Sequence, residues 1–141
     1  MSEENKALAR RSWEIVNQHN PDLMDEFYTD DFVWHEPDQD IQGSEEAKQF
    51  VSTFFEAFPD LNVTVEDEVA EGDKVVTRWT IRGTHQGELM GIAPTEKQIE
   101  LKGITIHRIE GGQIAEEWER YDNWGMMQQL GVVAEPGQGD E

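Results

Sequence analysis

Apolar and polar positions alternate with two different periods along this chain, helical in the first half and strand-like in the second. Leu8, Ser12, Ile15 and Val16 fall near helical spacing with Trp13 alongside, and Ser2 or Glu3 stands at the start, which predicts a helix over residues 3–19. Asn20-Pro21-Asp22 breaks it. A short helix over 21–30 follows, with Leu23, Met24, Phe27 and Tyr28 as its apolar side and proline in its first turn. Phe32 to His35 reads as a short extended run that Glu36-Pro37 turns away. Ser44 is a natural N-cap, followed by Glu45 and Glu46 at the positive end of the helix dipole. Phe50, Val51, Phe54, Phe55 and Phe58 form the stripe of this third helix, and Pro59-Asp60 stops it. Such a stripe is core packing, and one or two of its rings can also line a pocket.

From Leu61 onward the period is two. Leu61, Val63 and Val65 alternate with Asn62, Thr64 and Glu66, and after a turn at Glu71-Gly72-Asp73 the same pattern runs from Lys74 to Gly83. Residues 84–95 form a Gly-punctuated loop. Strands at 97–109 and 113–123 flank Gly111-Gly112, a pair able to supply the positive φ angles of a two-residue hairpin turn. A helical turn is expected over 125–131 and a frayed acidic tail over 132–141, leaving one domain over 1–131. Helices first and then a run of antiparallel strands is the α+β pattern. A strongly curved sheet wrapping the N-terminal helices would leave an internal pocket against the aromatic third helix.

Charge narrows the partners. Of the 141 residues 31 are acidic and 11 basic, a formal charge of −20. Phosphate backbones and anionic membrane surfaces are repelled by such a field, so nucleic acid and membrane are not expected partners. Five Trp, six Phe and clear periodicity argue against disorder. An acidic, strongly hydrated surface of the halophilic kind predicts that the melting temperature rises steeply from low to molar KCl as self-repulsion is screened, and a flat response counts against it. The chain has no cysteine, hence no disulfide, thiolate metal site or cysteine nucleophile. Met1-Ser-Glu-Glu-Asn-Lys lacks a signal-peptide core, and no apolar run approaches the roughly 20 residues that span a bilayer, so a cytoplasmic location is expected. His-Glu-x-x-His spacing, a phosphate-binding Gly loop and a Gly-x-Ser-x-Gly elbow are all missing, which points away from a metal or nucleotide site.

The hairpin carries the candidate chemistry: Glu116, Glu117, Trp118, Glu119, Tyr121 and Asp122 on one strand, His107 on the other. Carboxylates, imidazole and aromatics in that mixture suit proton transfer on a small hydrophobic molecule, or are ordinary sheet surface. Regular alternation puts Glu119 on a face with Glu117 and Tyr121, and Asp122 on the other with Trp118 and Arg120, so both enter one pocket only across a β-bulge.

The stretches Asp31-Phe-Val-Trp-His35-Glu-Pro37, Phe58-Pro-Asp-Leu61, Arg78-Trp-Thr, Gly83-Thr-His-Gln-Gly87, Gly91-Ile-Ala-Pro-Thr95, Gly111-Gly-Gln-Ile-Ala-Glu-Glu-Trp118 and Gln128-Gln-Leu-Gly131, in that order and spacing, resemble the SnoaL-like polyketide cyclases of the nuclear-transport-factor-two-like superfamily over roughly residues 4–131. The resemblance implies a cone, that is a bent antiparallel sheet around helices with a pocket at one end. It also implies ring closure by intramolecular aldol condensation without metal or organic cofactor, and a homodimer. The family's acid/base aspartate falls at Glu119, one methylene longer, about 1.5 Å in reach. A histidine of the preceding strand falls at Thr105 rather than His107, while the early-run histidine is retained as His35 and the aspartate after the last strand as Asp122.

The expected activity is therefore cofactor-independent removal of a proton α to a carbonyl on an apolar or aromatic compound, by Glu119 or Asp122 with His35 as hydrogen-bond donor. That step begins aldol cyclisation, isomerisation and dehydration alike. For each residue a plainer role competes. Glu119 can be a sheet carboxylate paired with Arg78 or Arg120, Asp122 a helix cap, and His35 a buried imidazole satisfied by backbone. His107 can face solvent and His85 can shape its loop. Tyr28, Trp34, Trp118 and Trp124 can be core rather than pocket wall, and Arg78 can sit on the outer sheet face. A non-catalytic binding or carrier domain, or a dimerisation module with a vestigial pocket, is the alternative for the whole chain.

Overall fold

The protein, examined as a computed structural model, is described over residues 2–132. The N-terminal helical stretch is two pieces, α1 (Ser2–Ser12) and α2 (Glu14–Asn17). The Ser12 hydroxyl donates to the Ala9 carbonyl at 2.6 Å, the back-bonding that bends helices, and Trp13 sits in the break. The second predicted helix is shorter than expected. Asn20 caps a 3-10 turn at Pro21–Leu23, α3 covers only Met24–Phe27, and Tyr28 already has strand geometry. Tyr28, Phe32 and Trp34 share the buried side of β1 (Tyr28–His35), a period of two that overrides the helical reading of 28–30.

A tight turn, closed by the Glu36 N–H donating to the Gln39 carbonyl at 2.8 Å, leads into β2 (Asp40–Gln42), a strand the sequence reading missed. Gly43 rather than Ser44 holds the N-cap position of α4 (Ser44–Ala57), because its φ of 86° lies where side chains are disfavoured. The long strands β3 (Asn62–Glu71), β4 (Lys74–Thr84), β5 (Gln98–Glu110) and β6 (Gln113–Tyr121) follow close to their predicted bounds, with positive φ at Gly111 and Gly112 between the last two. α5 (Asn123–Leu130) closes the domain. Apart from Val132, the expected acidic tail lies outside the described residues.

The six strands form one sheet in the order β2-β1-β6-β5-β4-β3. All neighbours are antiparallel except β1 and β6, whose parallel pairing is made possible by the long crossover of α4 and the intervening strands. Register shifts between Val65 and Asp67, between Arg108 and Ile109, and between Tyr28 and Val33 bend the sheet. Its concave face closes over α1, α2 and α4. Two apolar clusters result, one around Phe32, Trp34 and Ile114, the other around Trp79, Phe58 and Met126, and Phe55 of α4 packs against both. Among the described residues no helix is long and apolar enough to cross a membrane.

Candidate active site

A cavity of about 110 Å3 lies between α4 and the concave sheet face. Phe50, Phe54, Phe55 and Phe58 project into it from α4, so the aromatic stripe contributes more wall than the one or two rings expected. Trp13 and Met24 close it on the helical side, and Trp79 and Leu101 floor it. Against this apolar wall stand three carboxyls, Glu36, Glu117 and Glu119, all buried.

Strand parity explains their convergence. The β5–β6 register is continuous from Gly103↔Tyr121 to Arg108↔Glu116, so Glu117, Glu119 and Tyr121 all face inward without a bulge. Glu119 accepts a hydrogen bond from the Trp34 indole N–H at 2.8 Å, and Thr105, its register partner on β5, favours its charged form. Thr105 in turn accepts from the Trp79 indole at 2.9 Å. Glu117 accepts from the Tyr28 hydroxyl at 3.1 Å and pairs with His107 Nδ1 at 2.5 Å, and His107 Nε2 meets the Thr77 hydroxyl at 2.9 Å. The Tyr121 hydroxyl lies near Glu36.

Burial pushes the Glu119 carboxyl well above its ordinary range. The charges of Glu36 and Glu117 push it further, and the bonds from Trp34 and Thr105 only partly offset this. Burial likewise carries Glu36 up to about 8, with repulsion from Glu117 added and with Tyr121 and Arg120 pulling back. Burial also raises the phenols of Tyr28 and Tyr121, which keeps both as hydroxyl donors.

A stability consequence follows from the sign of these shifts. Between the ordinary value of 4.5 and about 8 the unfolded chain has released the Glu36 proton while the folded chain holds it, so stability falls as pH rises through that window. Glutamine at 36 removes this dependence. The melting temperature of Glu36→Gln is expected to gain on the wild type progressively from about pH 5 to about pH 8, and a constant gap would show that Glu36 does not titrate there.

The other expected site residues lie elsewhere. His35 does not enter the cavity. Trp34 takes the inward position, so its neighbour must face outward. There the His35 ring stacks on Trp118 with centroids 5.5 Å apart, and its nitrogens meet Asp40 at 2.9 Å and Glu116 at 2.6 Å. The Glu116 contact raises its pKa. Asp122 is also outside: β6 ends at Tyr121, and the exposed Asp122 caps α5 by accepting the Gly125 N–H at 2.8 Å. Trp118 lies on the outer face with His35, Trp124 is 60% exposed on α5, and Arg78 pairs with Asp67 at 2.8 Å on the convex side. Tyr28 and Trp34 do line the cavity. Thr105 and His107 are buried behind the carboxyls they touch, His107 having neither the solvent-facing nor the wall position expected. His85 shapes its loop, with Nδ1 held by Thr95. Among the described residues no group of three or more metal-ligating side chains is arranged to hold an ion.

Glu36 is not among the residues the sequence points to, whereas Glu117 and Tyr121 stand in the hairpin cluster and share the alternation of Glu119 without an individual role. For Glu36 the available signal was its i+2 spacing from Trp34.

The sequence profile of the SnoaL-like polyketide cyclases matches residues 6–130. The chain belongs to that family. No curated protein matches it. Solved structures share the fold of this SnoaL-like protein. A candidate SnoaL-like polyketide cyclase from Jannaschia sp. CCS1 is 25% identical over 94% of each chain, with a TM-score of 0.86. AclR, a candidate hydroxylase from Streptomyces galilaeus, is 25% identical over 98% of this chain and 87% of its own, at 0.87. IdmH, a candidate polyketide cyclase from Streptomyces antibioticus, is 30% identical over 91% of this chain and 99% of its own, at 0.78. The nuclear-transport-factor-two-like cone expected from the sequence is thus the fold observed, with β1–β6 as its parallel pairing.

Proposed function

We propose that this SnoaL-like protein removes a proton α to a carbonyl on an apolar small molecule, with Glu119 as the base. The observation that carries the reading is a buried carboxyl of raised proton affinity at the centre of an aromatic-walled cavity. A carbon acid needs a base of raised proton affinity, and burial raises that of Glu119. The Trp34 indole and Thr105 aim Glu119 and limit its rotamers, as a base positioned for one face of a flat substrate requires.

A purely binding pocket is the competing reading, and the three carboxyls weigh against it. An apolar ligand gains nothing from carboxyls held out of water, and each costs several kcal/mol of desolvation in order of magnitude. The removal of an α-proton is common to ring closure, isomerisation and dehydration, so the reading supports the whole class.

The test is deuterium incorporation, followed by proton NMR, at the α-carbon of a small apolar ketone such as 2-tetralone in D2O. The protein is expected to exchange that position well above the buffer rate. A panel of apolar ketones all left at the buffer rate would sink the proposal.

A further inference from the structure

Once His35 is seen to face outward, the proposed reaction needs another group to meet the charge that develops on the carbonyl oxygen, and the Tyr28 hydroxyl is already given to Glu117. Glu36 is the residue in position to do so. β1 and β6 run parallel with Trp34 opposite Glu117 and His35 opposite Trp118, Glu36 follows directly on the end of β1, and its charge acts on Glu119. The turn closed by the Glu36 N–H and the Gln39 carbonyl holds it there, followed by Pro37, which restricts residue 36 to extended backbone. Glu36 is only 7% exposed and lines the same cavity as Glu119. One of its oxygens, Oε1, is buried without any hydrogen-bond partner.

The two carboxyls differ in what surrounds them. Glu119 accepts the Trp34 indole N–H, and Thr105 also favours its charged form, which within the pair suits it to carry the negative charge. The Tyr121 hydroxyl lies near Glu36, and Oε1 has no partner, so a proton carried there is free to be donated to a ligand. Glu117, Glu119 and Asp38 face Glu36 with like charge and Arg120 with opposite charge. Carboxyls that repel one another in one buried cavity do not both ionise readily, so the pair holds one proton over a range of pH.

We infer that Glu36 is a second catalytic residue: it hands its proton to the substrate's carbonyl oxygen as Glu119 takes the proton from the α-carbon. This rests on the α-proton removal proposed above and names its acid. In the step the α C–H bond breaks and a Glu119 O–H bond forms. The C–H electron pair becomes the enol double bond, and the carbonyl π pair takes the proton from Glu36, whose O–H breaks. One proton enters the carboxyl pair and one leaves it, so the charge inside the apolar cavity is unchanged, which is what a low-dielectric site favours. The substrate class narrows accordingly: a ketone whose oxygen points at the β1–β2 turn and whose α-carbon lies under β6.

The experiment compares the wild type, Glu36→Gln and Glu119→Gln by two readouts. The first is the infrared carbonyl stretch of a protonated carboxylic acid in the substrate-free protein at neutral pH, which needs no substrate. The second is 2-tetralone exchange across a pH series. The expected result is a protonated-acid band that Glu36→Gln removes, an exchange rate about 100-fold lower in that variant, and loss of the alkaline fall in rate that follows the Glu36 proton. Glutamine is isosteric, so a melting temperature at or above the wild type excludes misfolding as the cause. A band unaffected by Glu36→Gln overturns the inference. So does wild-type exchange in Glu36→Gln where Glu119→Gln has lost it, and in that case α-proton removal by Glu119 still stands. No exchange by the wild type overturns both.

Discussion

Glutamine at position 119 is expected to slow α-proton exchange by about 1,000-fold and to leave the melting temperature unchanged or higher. The amide keeps the shape of the side chain and an oxygen for the Trp34 indole, but it cannot accept a proton from carbon. It also removes one of three carboxyls from a buried cluster in which Glu36 and Glu117 repel it. Loss of activity is therefore expected without loss of fold, the reverse of most damaging core substitutions. Asp122→Ala is the companion measurement. It removes the cap of α5, so it should cost about 1 kcal/mol of stability and leave exchange intact. Exchange within a few-fold of wild type in Glu119→Gln would remove this residue from the role of base. A collapse of exchange in Asp122→Ala without unfolding would put the base after the strand instead of on it.

Gly87→Ala should destabilise the domain by about 3 kcal/mol, lowering the melting temperature by about 10 °C. The loop that leaves β4 folds back on the end of α4, where the N–H groups of Gln86 and Gly87 both donate to the Ala57 carbonyl at 2.9 and 3.1 Å. A methyl group at 87 would stand 2.2 Å from the Glu56 carbonyl oxygen and 2.9 Å from its carbon. These are backbone atoms of a helix, so no side chain can rotate to make room and the loop must lift away. The same end of α4 carries Phe54, Phe55 and Phe58 into the cavity, so the proposed ketone site should loosen as well. Thermal unfolding reads the first effect and the Michaelis constant for 2-tetralone the second. A variant as stable as the wild type would mean that the close approach does not hold the loop.

Most of the cone was legible because its longest strands obey period two over long runs. Gln98 to Arg108 and Glu116 to Tyr121 keep one parity, with slips at the register shifts after Val65 and Arg108, and the Phe50, Phe54, Phe58 spacing is helical with the same clarity. The parity argument also separated Glu119 from Asp122, and the continuous β6 register now shows which of them is inside. The first strand was harder. Tyr28 sits directly after a helical turn with no punctuation between them, and Asp30 and Asp31 look like an ending. What holds β1 together is its parallel pairing with β6, more than 80 positions away in the chain, and no local pattern announces such a partner. The extended run legible at Phe32 to His35 stops one residue short of Glu36, and His35 enters the pocket reading only through the resemblance. Glu36-Pro37 reads as an exposed turn in isolation and is buried because the end of β1 lies at the cavity.

The strand order places the two proposed proton-transfer groups on parts of the fold that differ in how readily they come undone. β6 is flanked by β1 and β5, deep within the sheet, whereas Glu36 leads into the three-residue β2 at its margin. Native proteins breathe from such margins inward, so Glu119 rides on backbone among the last to open and Glu36 on backbone among the first. A brief unlatching of the β2 hairpin would part the dyad while the base stayed in place, and its return would reassemble the pair around whatever had entered.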